Sequence, residues 1–356
     1  MTSMTSSSTT GQVRFHKSMR GRFLLFGVLP TIVLLGAIVI YNAINMYSLA
    51  RADNEQHLQL LTVELAEEIE RTNNRAVIAA QVMALAQQSG MFGNRPESSE
   101  YARQVLEFYP EFTGAYFGYE PNADGDDMSF RNSDIGAQMS SAMDKTGRFI
   151  PYWYRDKSDN TKIVLEPLVD METSLYYAGI KESFEKSGGR YIVTEPYIYE
   201  GKMIVEQTAP VVINGKFSGI AGVDRALTDL VVILDNIKRK HKVDVFLISH
   251  SGRFIADTLG EQVDLRTQSY EKTPYRDLFS RLYSNRKKHE LVLTTDPLSG
   301  NSRYYYVSAS VPTGDWTVVI RKAENDVIAP IRANVLSSMG IAGAGLFAML
   351  LLMLWL

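Results

Sequence analysis

Two long uncharged apolar runs stand at the two ends of the chain and constrain everything between them. The first, FLLFGVLPTIVLLGAIVIY, covers Phe23 to Tyr41, and no charged residue follows until Arg51. The second, VLSSMGIAGAGLFAMLLLMLWL, covers Val335 to Leu356. Each reaches the roughly 20 residues that a helix needs to cross the hydrocarbon core of a bilayer. Buried core helices or a cleaved signal peptide would look similar. The first run, however, is longer than a signal core and lacks a small-residue cleavage site at its end. Pro30 is tolerable in a membrane helix. Transmembrane helices are therefore expected over 23–45 and 331–356.

Basic residues give the orientation. Arg14, Lys17, Arg20 and Arg22 precede the first run with no acid among them. By the positive-inside rule this end is cytoplasmic, which puts the stretch between the runs outside the inner membrane, in the periplasm or the extracellular space. The opening MTSMTSSSTTGQ makes 1–22 a disordered cytoplasmic tail. No basic residue follows the second run, so the chain is expected to belong to a longer protein with a cytoplasmic output.

The interior reads as globular. A net charge of −3 over 356 residues argues against a nucleic-acid binder, which shows a basic face or tail. The absence of cysteine excludes disulfides, thiolate metal sites and a cysteine nucleophile. The histidines His16, His57, His241, His250 and His289 show no metal-ligand spacing, and no metal or cofactor is expected. NADGDD has alternate Asn122, Asp124 and Asp126 but lacks the glycine and the distant glutamate of a calcium loop, and reads as a solvated turn. No nucleophile–base motif appears, so an enzyme is not expected.

Over 46–91 the residues Leu58, Leu61, Leu65, Ile69, Ala76, Ala79, Val82, Met83 and Ala86 recur at spacings of three and four. Glu67, Glu68, Glu70, Arg71 and Arg75 fill the other face, and neither glycine nor proline intervenes before Gly90. This is a stalk helix on the order of 60 Å long. After GNRPESSE the pattern changes to short strands: FTGAYFGYE, then MSFRN as a candidate return strand, then GRFIPYW. A helix is expected near Tyr177 to Glu185, followed by RYIVTEPYIY, KMIVEQTAPVVI and KFSGIAGVD as strands and RALTDLVVILDNIKRK as a helix. VDVFLIS, HSGRFIAD, HELVLTT, SRYYYVSASV and DWTVVIRK repeat the plan. Gly-Arg-Phe-Ile occurs in both halves, at 147–150 and 252–255, in keeping with related tandem modules.

The order of elements, with PEFTGAYFGY, GRFIPYW, LEPLVD, TEPYIY, GKFSGIAGVDRAL and GDWTVVIRKAENDVIAPI, resembles the double Cache sensor regions of bacterial transmembrane receptors, such as methyl-accepting chemotaxis proteins. The resemblance implies an α+β fold of two tandem PAS-like Cache modules with antiparallel sheets, on a long N-terminal stalk helix, flanked by two transmembrane helices. The expected boundaries are 92–238 for a membrane-distal, ligand-binding module and 239–330 for a membrane-proximal one. It implies a homodimer that binds a small molecule outside and shifts helices to drive a chemotaxis output. A histidine kinase, diguanylate cyclase or phosphatase output is the alternative, as is a protein-binding module without a small ligand.

In amino-acid-binding members of that family an arginine two residues before a Trp-Tyr pair holds the ligand carboxylate. Here Trp153-Tyr154 is similar to the pair, but Pro151 stands where the arginine would be, and the aspartate region reads Pro196-Tyr197-Ile198-Tyr199-Glu200. Arg148 or Arg155 is a substitute whose facing is open. Tyr176 or Tyr177 matches the later tyrosine. The candidate ligand residues are thus Arg148, Tyr152, Trp153, Tyr154, Asp170, Tyr176, Tyr177, Tyr197, Tyr199 and Asp224. Aromatic faces with carboxylates suit an amine or nitrogen heterocycle better than a free amino acid. About half of the aromatics are expected to be core instead. For Asp224 a helix N-cap before Arg225 is the competing role.

Overall fold

The computed structural model describes residues 22, 24–156, 159, 161–199, 202–260, 265 and 268–355. The expected disordered tail lies outside them, Arg22 excepted. A π-type turn, Leu24–Val28, leads into α1, a single helix over Leu29–Ala86. Pro30 sits in its first turn, where the missing N–H costs little. The C-terminal helix α6 covers Glu324–Trp355. Both helices are long and apolar enough to cross a bilayer, and only 6% of each apolar window is buried. Contacts divide the chain into the terminal helical segments, up to His57 and from Ala323, and the unit Leu58–Lys322.

The unit Leu58–Lys322 holds two antiparallel sheets. The first contains β1 (Phe112–Tyr119), β2 (Pro151–Arg155), β3 (Ile163–Pro167), β4 (Ile192–Val193), β5 (Tyr197–Tyr199), β6 (Lys202–Ile213) and β7 (Lys216–Ala226). Its order is β3-β2-β1-β7-β6-β4, with β5 also on β6. Asn214 and Gly215, both at positive φ (52° and 78°), make the two-residue hairpin turn between β6 and β7. Their left-handed backbone matches the twist of the flanking strands.

One face of this sheet is dry and small. Ala115, Phe117, Ala209, Val211, Ala221 and Val223 pack against Ala76, Ala80 and Met83 of α1 and against Ala102 and Leu106 of α2 (Arg95–Phe108). Alanine on both sides lets helix and sheet approach closely. Helix α2 was not expected, and MSFRN is helical over Asp127–Arg131 rather than a strand. The NADGDD turn is likewise not simply solvated. Arg95, fully buried, donates to Asp124 at 2.8 Å twice and to Asp127 at 2.5 Å. A buried guanidinium needs such partners. Helix α3 (Ile180–Ser187) lies over the opposite face, where Ile180 packs with Tyr116, Tyr176 and Ile220.

After α4 (Thr228–His241) come β8 (Asp244–Ile248), β9 (Phe254–Asp257), α5 (Arg276–Asn285), β10 (Val292–Thr295), β11 (Arg303–Val311) and β12 (Trp316–Ala323). The second sheet has the order β10-β11-β12-β8-β9. In both sheets the first strand lies beside the last, β1 by β7 and β8 by β12. The second core is filled by Phe246, Phe254, Tyr275, Phe279 and Tyr306. Within it Arg321 donates to Asp244 at 2.9 Å, to the Tyr275 hydroxyl at 2.9 Å and to Asp296. Asp296 also accepts from Tyr275 at 2.9 Å and Tyr306 at 2.5 Å.

Helix α1 ties the two sheets together. Asn73, fully buried, accepts a hydrogen bond from Arg225 of β7 and donates to the Thr313 carbonyl at 2.9 Å. Glu70 accepts from the Thr313 backbone N–H at 2.8 Å and from its hydroxyl at 2.7 Å. Thr313 opens the turn into β12, and β12 runs directly into α6.

Candidate ligand site

The register of four strands assembles the site. Gly114 on β1 pairs with Tyr154 of β2 on one side and Asp224 of β7 on the other. Tyr116 pairs with Tyr152 and Gly222, Thr208 with Gly222, and Glu206 with Asp224. Alternate residues share a face, so Tyr116, Tyr152, Tyr154, Glu206, Thr208 and Asp224 all stand on the face opposite the α1 core. Two glycines make room for them. A Cβ at Gly114 would lie 2.5 Å from the Tyr152 ring and 2.8 Å from an Asp224 oxygen, and one at Gly222 would lie 2.3 Å from the Tyr116 ring. The rings therefore lie down on the sheet, and Tyr152 stacks on Tyr154 with centroids 5.3 Å apart.

Two acids sit among these rings with no ion-pair partner among the described residues. Asp224 is 4% exposed and Glu206 is 5% exposed. The Tyr197 hydroxyl donates to Glu206 at 3.2 Å, and the Glu206 backbone N–H donates to Thr194 Oγ1 at 3.0 Å. Tyr152 hydrogen-bonds Asp224, whose Oδ1 is buried with no partner among the described residues. Burial pushes the Asp224 carboxyl up to about 7, the Tyr152 contact opposing it. Burial, then the charge of Asp224, raises Glu206 well above the usual carboxylate range. Two neighbouring carboxylates in low dielectric do not both ionise freely, and none of the groups acting on either one is cationic. Burial also raises the Tyr116, Tyr176 and Tyr197 phenols, which stay neutral donors.

Glu206 opens onto a cleft of about 770 Å³ between the two sheets. Val169, Asp170, Tyr176, Ile192, Thr194 and Tyr197 line it from the first sheet's side, and His250, Ser251 and Arg253 from the β8–β9 turn. The lip residue Glu195 bridges the two walls. Its Oε1 accepts from the Ser249 and Ser251 hydroxyls, the latter at 2.6 Å, and its Oε2 lies 2.8 Å from His250 Nδ1. A concave, largely apolar cavity with a few convergent polar groups, between two modules, is the usual form of a small-molecule site.

No protein-family model and no curated protein matches the chain. Solved structures do. The extracellular domain of mmHK1S-Z3, described as a histidine kinase, superposes with a TM-score of 0.64 at 24% identity over 80% of this chain and 98% of that one. Methyl-accepting Chemotaxis protein X gives 0.59 at 22% over 76% of this chain and 97% of that one. The periplasmic sensory domain of the Campylobacter jejuni chemoreceptor Tlp1 gives 0.58 at 11% over 79% and 99%. At these identities the likeness is one of fold. The chain has the double Cache sensor fold.

Within the double Cache fold the candidate residues separate by face. Asp170, Tyr176 and Tyr197 line the cleft, and the Tyr176 hydroxyl donates to the Val169 carbonyl at 2.5 Å. Tyr152 and Tyr154 share the face of the acids. Trp153, between them, points the other way. It packs into the α1–α2 core, and its indole N–H donates to the Ser99 carbonyl at 2.8 Å. Arg148 is also elsewhere. It donates to the Tyr119 carbonyl at 2.5 Å and to Glu172 at 2.6 Å, and lies over the Tyr177 ring. Tyr177 donates to Glu120 and packs with Phe217, away from the cleft. Tyr199 is on β5, and its side chain lies outside the described part. Asp224 is no helix cap: β7 continues to Ala226, and α4 starts at Thr228.

Sequence reading missed Glu206, Thr194, Glu195 and Arg253. A signal existed for the first. Glu206 interrupts KMIVEQTAPVVI, otherwise free of acids, at an interior strand position. Such a residue is solvated or serves a purpose.

Proposed function

We propose that this chain is the sensor region of a transmembrane receptor of the inner membrane, and that its distal module, 92–238, binds a small cation from outside the cell. An amine or a protonated nitrogen heterocycle fits best. One observation carries this reading: Glu206 and Asp224 are adjacent, buried and lack a cationic partner among the groups acting on them, with tyrosine rings around them. A cation entering beside Glu206 would supply the missing counter-charge and meet aromatic faces at the same time. A free α-amino acid would bring a carboxylate beside these two acids, and Arg148 is engaged elsewhere.

Signalling follows from the same strand. Asp224 faces the site and Arg225, the next residue, reaches Asn73 on the far face. A shift of β7 on binding is passed to α1 and, through Thr313, to β12 and α6. Binding changes the output only in so far as the ligand prefers one arrangement over the other. The module 239–330 is read as the relay. Ile78, Val82 and Leu85, 49%, 48% and 57% exposed at helical spacing on α1, support a homodimer seam. A chemotaxis output is preferred, with a histidine kinase output as the alternative.

A thermal-shift screen of primary amines, imidazoles and α-amino acids on the chain in detergent tests the ligand class. Stabilisation by amines or imidazoles is expected. Stabilisation by α-amino acids alone would overturn the reading.

A further inference from the structure

The cleft has two chemically different walls, and only one of them belongs to the first sheet. On the other wall stands the Ser249–Arg253 turn. Its shape is fixed internally: the Ser249 N–H donates to the Arg253 carbonyl at 2.9 Å, and the Arg253 N–H donates to Ser249 Oγ at 3.1 Å. Gly252 has φ 78°, and a Cβ there would sit 2.8 Å from the Tyr270 ring. The turn is also fastened to the cleft lip, because Glu195 accepts from the Ser249 and Ser251 hydroxyls and pairs with His250. The position from which the Arg253 side chain departs is therefore held by both modules.

Arg253 is exposed, lines the cleft, and makes no side-chain hydrogen bond or ion pair among the described residues. The arginines built into the fold behave differently. Arg95, Arg148 and Arg321 are each committed to carboxylates. Among the described residues of the cleft, the acids Glu206, with Asp224 behind it, and Asp170 stand on the first wall without an ion-pair partner, and Arg253 stands on the second. Glu195 Oε2 lies 2.8 Å from His250 Nδ1.

Resting on the cation reading above, we propose that the ligand carries two opposite charges on one chain. Its ammonium meets Glu206, and a carboxylate at the far end meets Arg253. Arg253 is the residue that selects the anionic end. A planar guanidinium fork suits a carboxylate in bidentate contact. An α-amino acid carries both charges on one carbon, whereas an ω-amino carboxylate separates them, as groups on opposite walls call for. The β8–β9 turn thereby becomes part of the binding site, and the proximal module senses occupancy directly.

The test compares matched probes on the full chain in nanodiscs by titration calorimetry: straight-chain primary amines and ω-amino carboxylates of three to six carbons, against the parent chain and Arg253→Gln. At the best length the amino carboxylate is expected to bind at least about tenfold tighter than the amine, the effect of one charge-assisted contact. Arg253→Gln is expected to remove that gain, so that the amino carboxylate binds no tighter than the matched amine. Equal affinity of both probes, or a gain that survives in Arg253→Gln, overturns the inference while the cation reading stands. Failure of every amine-bearing probe to bind overturns both.

Discussion

Asn73 of the stalk helix accepts a hydrogen bond from Arg225, the residue next to the buried Asp224. The same amide donates to Thr313, so one side chain joins both sheets. Asn73→Ala removes an acceptor from a buried guanidinium and a donor from a buried carbonyl. A loss of roughly 1.5–3 kcal/mol in unfolding free energy is expected. Ligand affinity should change little, while ligand-dependent crosslinking between cysteines placed on α6 should be lost. Unaltered crosslinking would remove Asn73 from the relay.

Asp224→Asn separates stability from recognition. The buried carboxyl is costly to ionise, so the neutral amide should raise the stability of the ligand-free protein at pH 8, by on the order of 1–3 kcal/mol. Amine binding should weaken by about tenfold or more as the second negative charge disappears. Thermal unfolding with and without ligand reads both effects. A variant that is less stable and binds normally would contradict the assignment.

The pH dependence has a definite sign. Asp224 and Glu206 are raised above their unfolded values, so their protonated forms favour the folded state. That stability is complete below the unfolded value near 4 and is lost as pH rises through about 7 for Asp224. A cation ligand reverses the trend, because it needs the ionised acids. Affinity should climb between pH 5 and 7, by up to about tenfold per pH unit, and binding should release protons. Calorimetry in buffers of different ionisation enthalpy measures the release. Proton uptake would count against a cation.

Gly222→Ala places a methyl group 2.3 Å from the Tyr116 ring. A cost of about 1–3 kcal/mol is expected, as for overpacking in general. Combining it with Tyr116→Ala should relieve the clash, so that the double variant is more stable than the two separate losses add up to. Additive losses would show that the ring and the glycine are not in contact.

Much of the fold was legible because it rests on periodicity. The spacing of Leu58, Leu61, Leu65 and Ile69 marks the inner face of α1, and all four are buried. The last strand and hairpin of the first sheet follow from Asn214-Gly215. Helix α2 was hidden because RPESSEYARQVLEF presents only Ala102 and Leu106 as fully buried apolar residues, too few to show a period. The site was harder. PYWYR alternates faces, so Tyr152 and Tyr154 share one side and Trp153 the other, and a string of five residues cannot tell which side is which. Asp224 read as a cap because GVDRAL is followed by a helical pattern, whereas β7 runs two residues further. Glu206 and Asp224 are 18 positions apart in sequence, and only the β6–β7 register makes them neighbours.

The second sheet contains a counterpart to this pair. Arg321 stands two residues before the end of β12, as Asp224 stands two residues before the end of β7, and each strand occupies the same place in its sheet. Arg321 brings its own cation to Asp296 and Asp244. On the proposed reading the Asp224 pair takes its cation from a ligand, whereas the second sheet carries its own covalently.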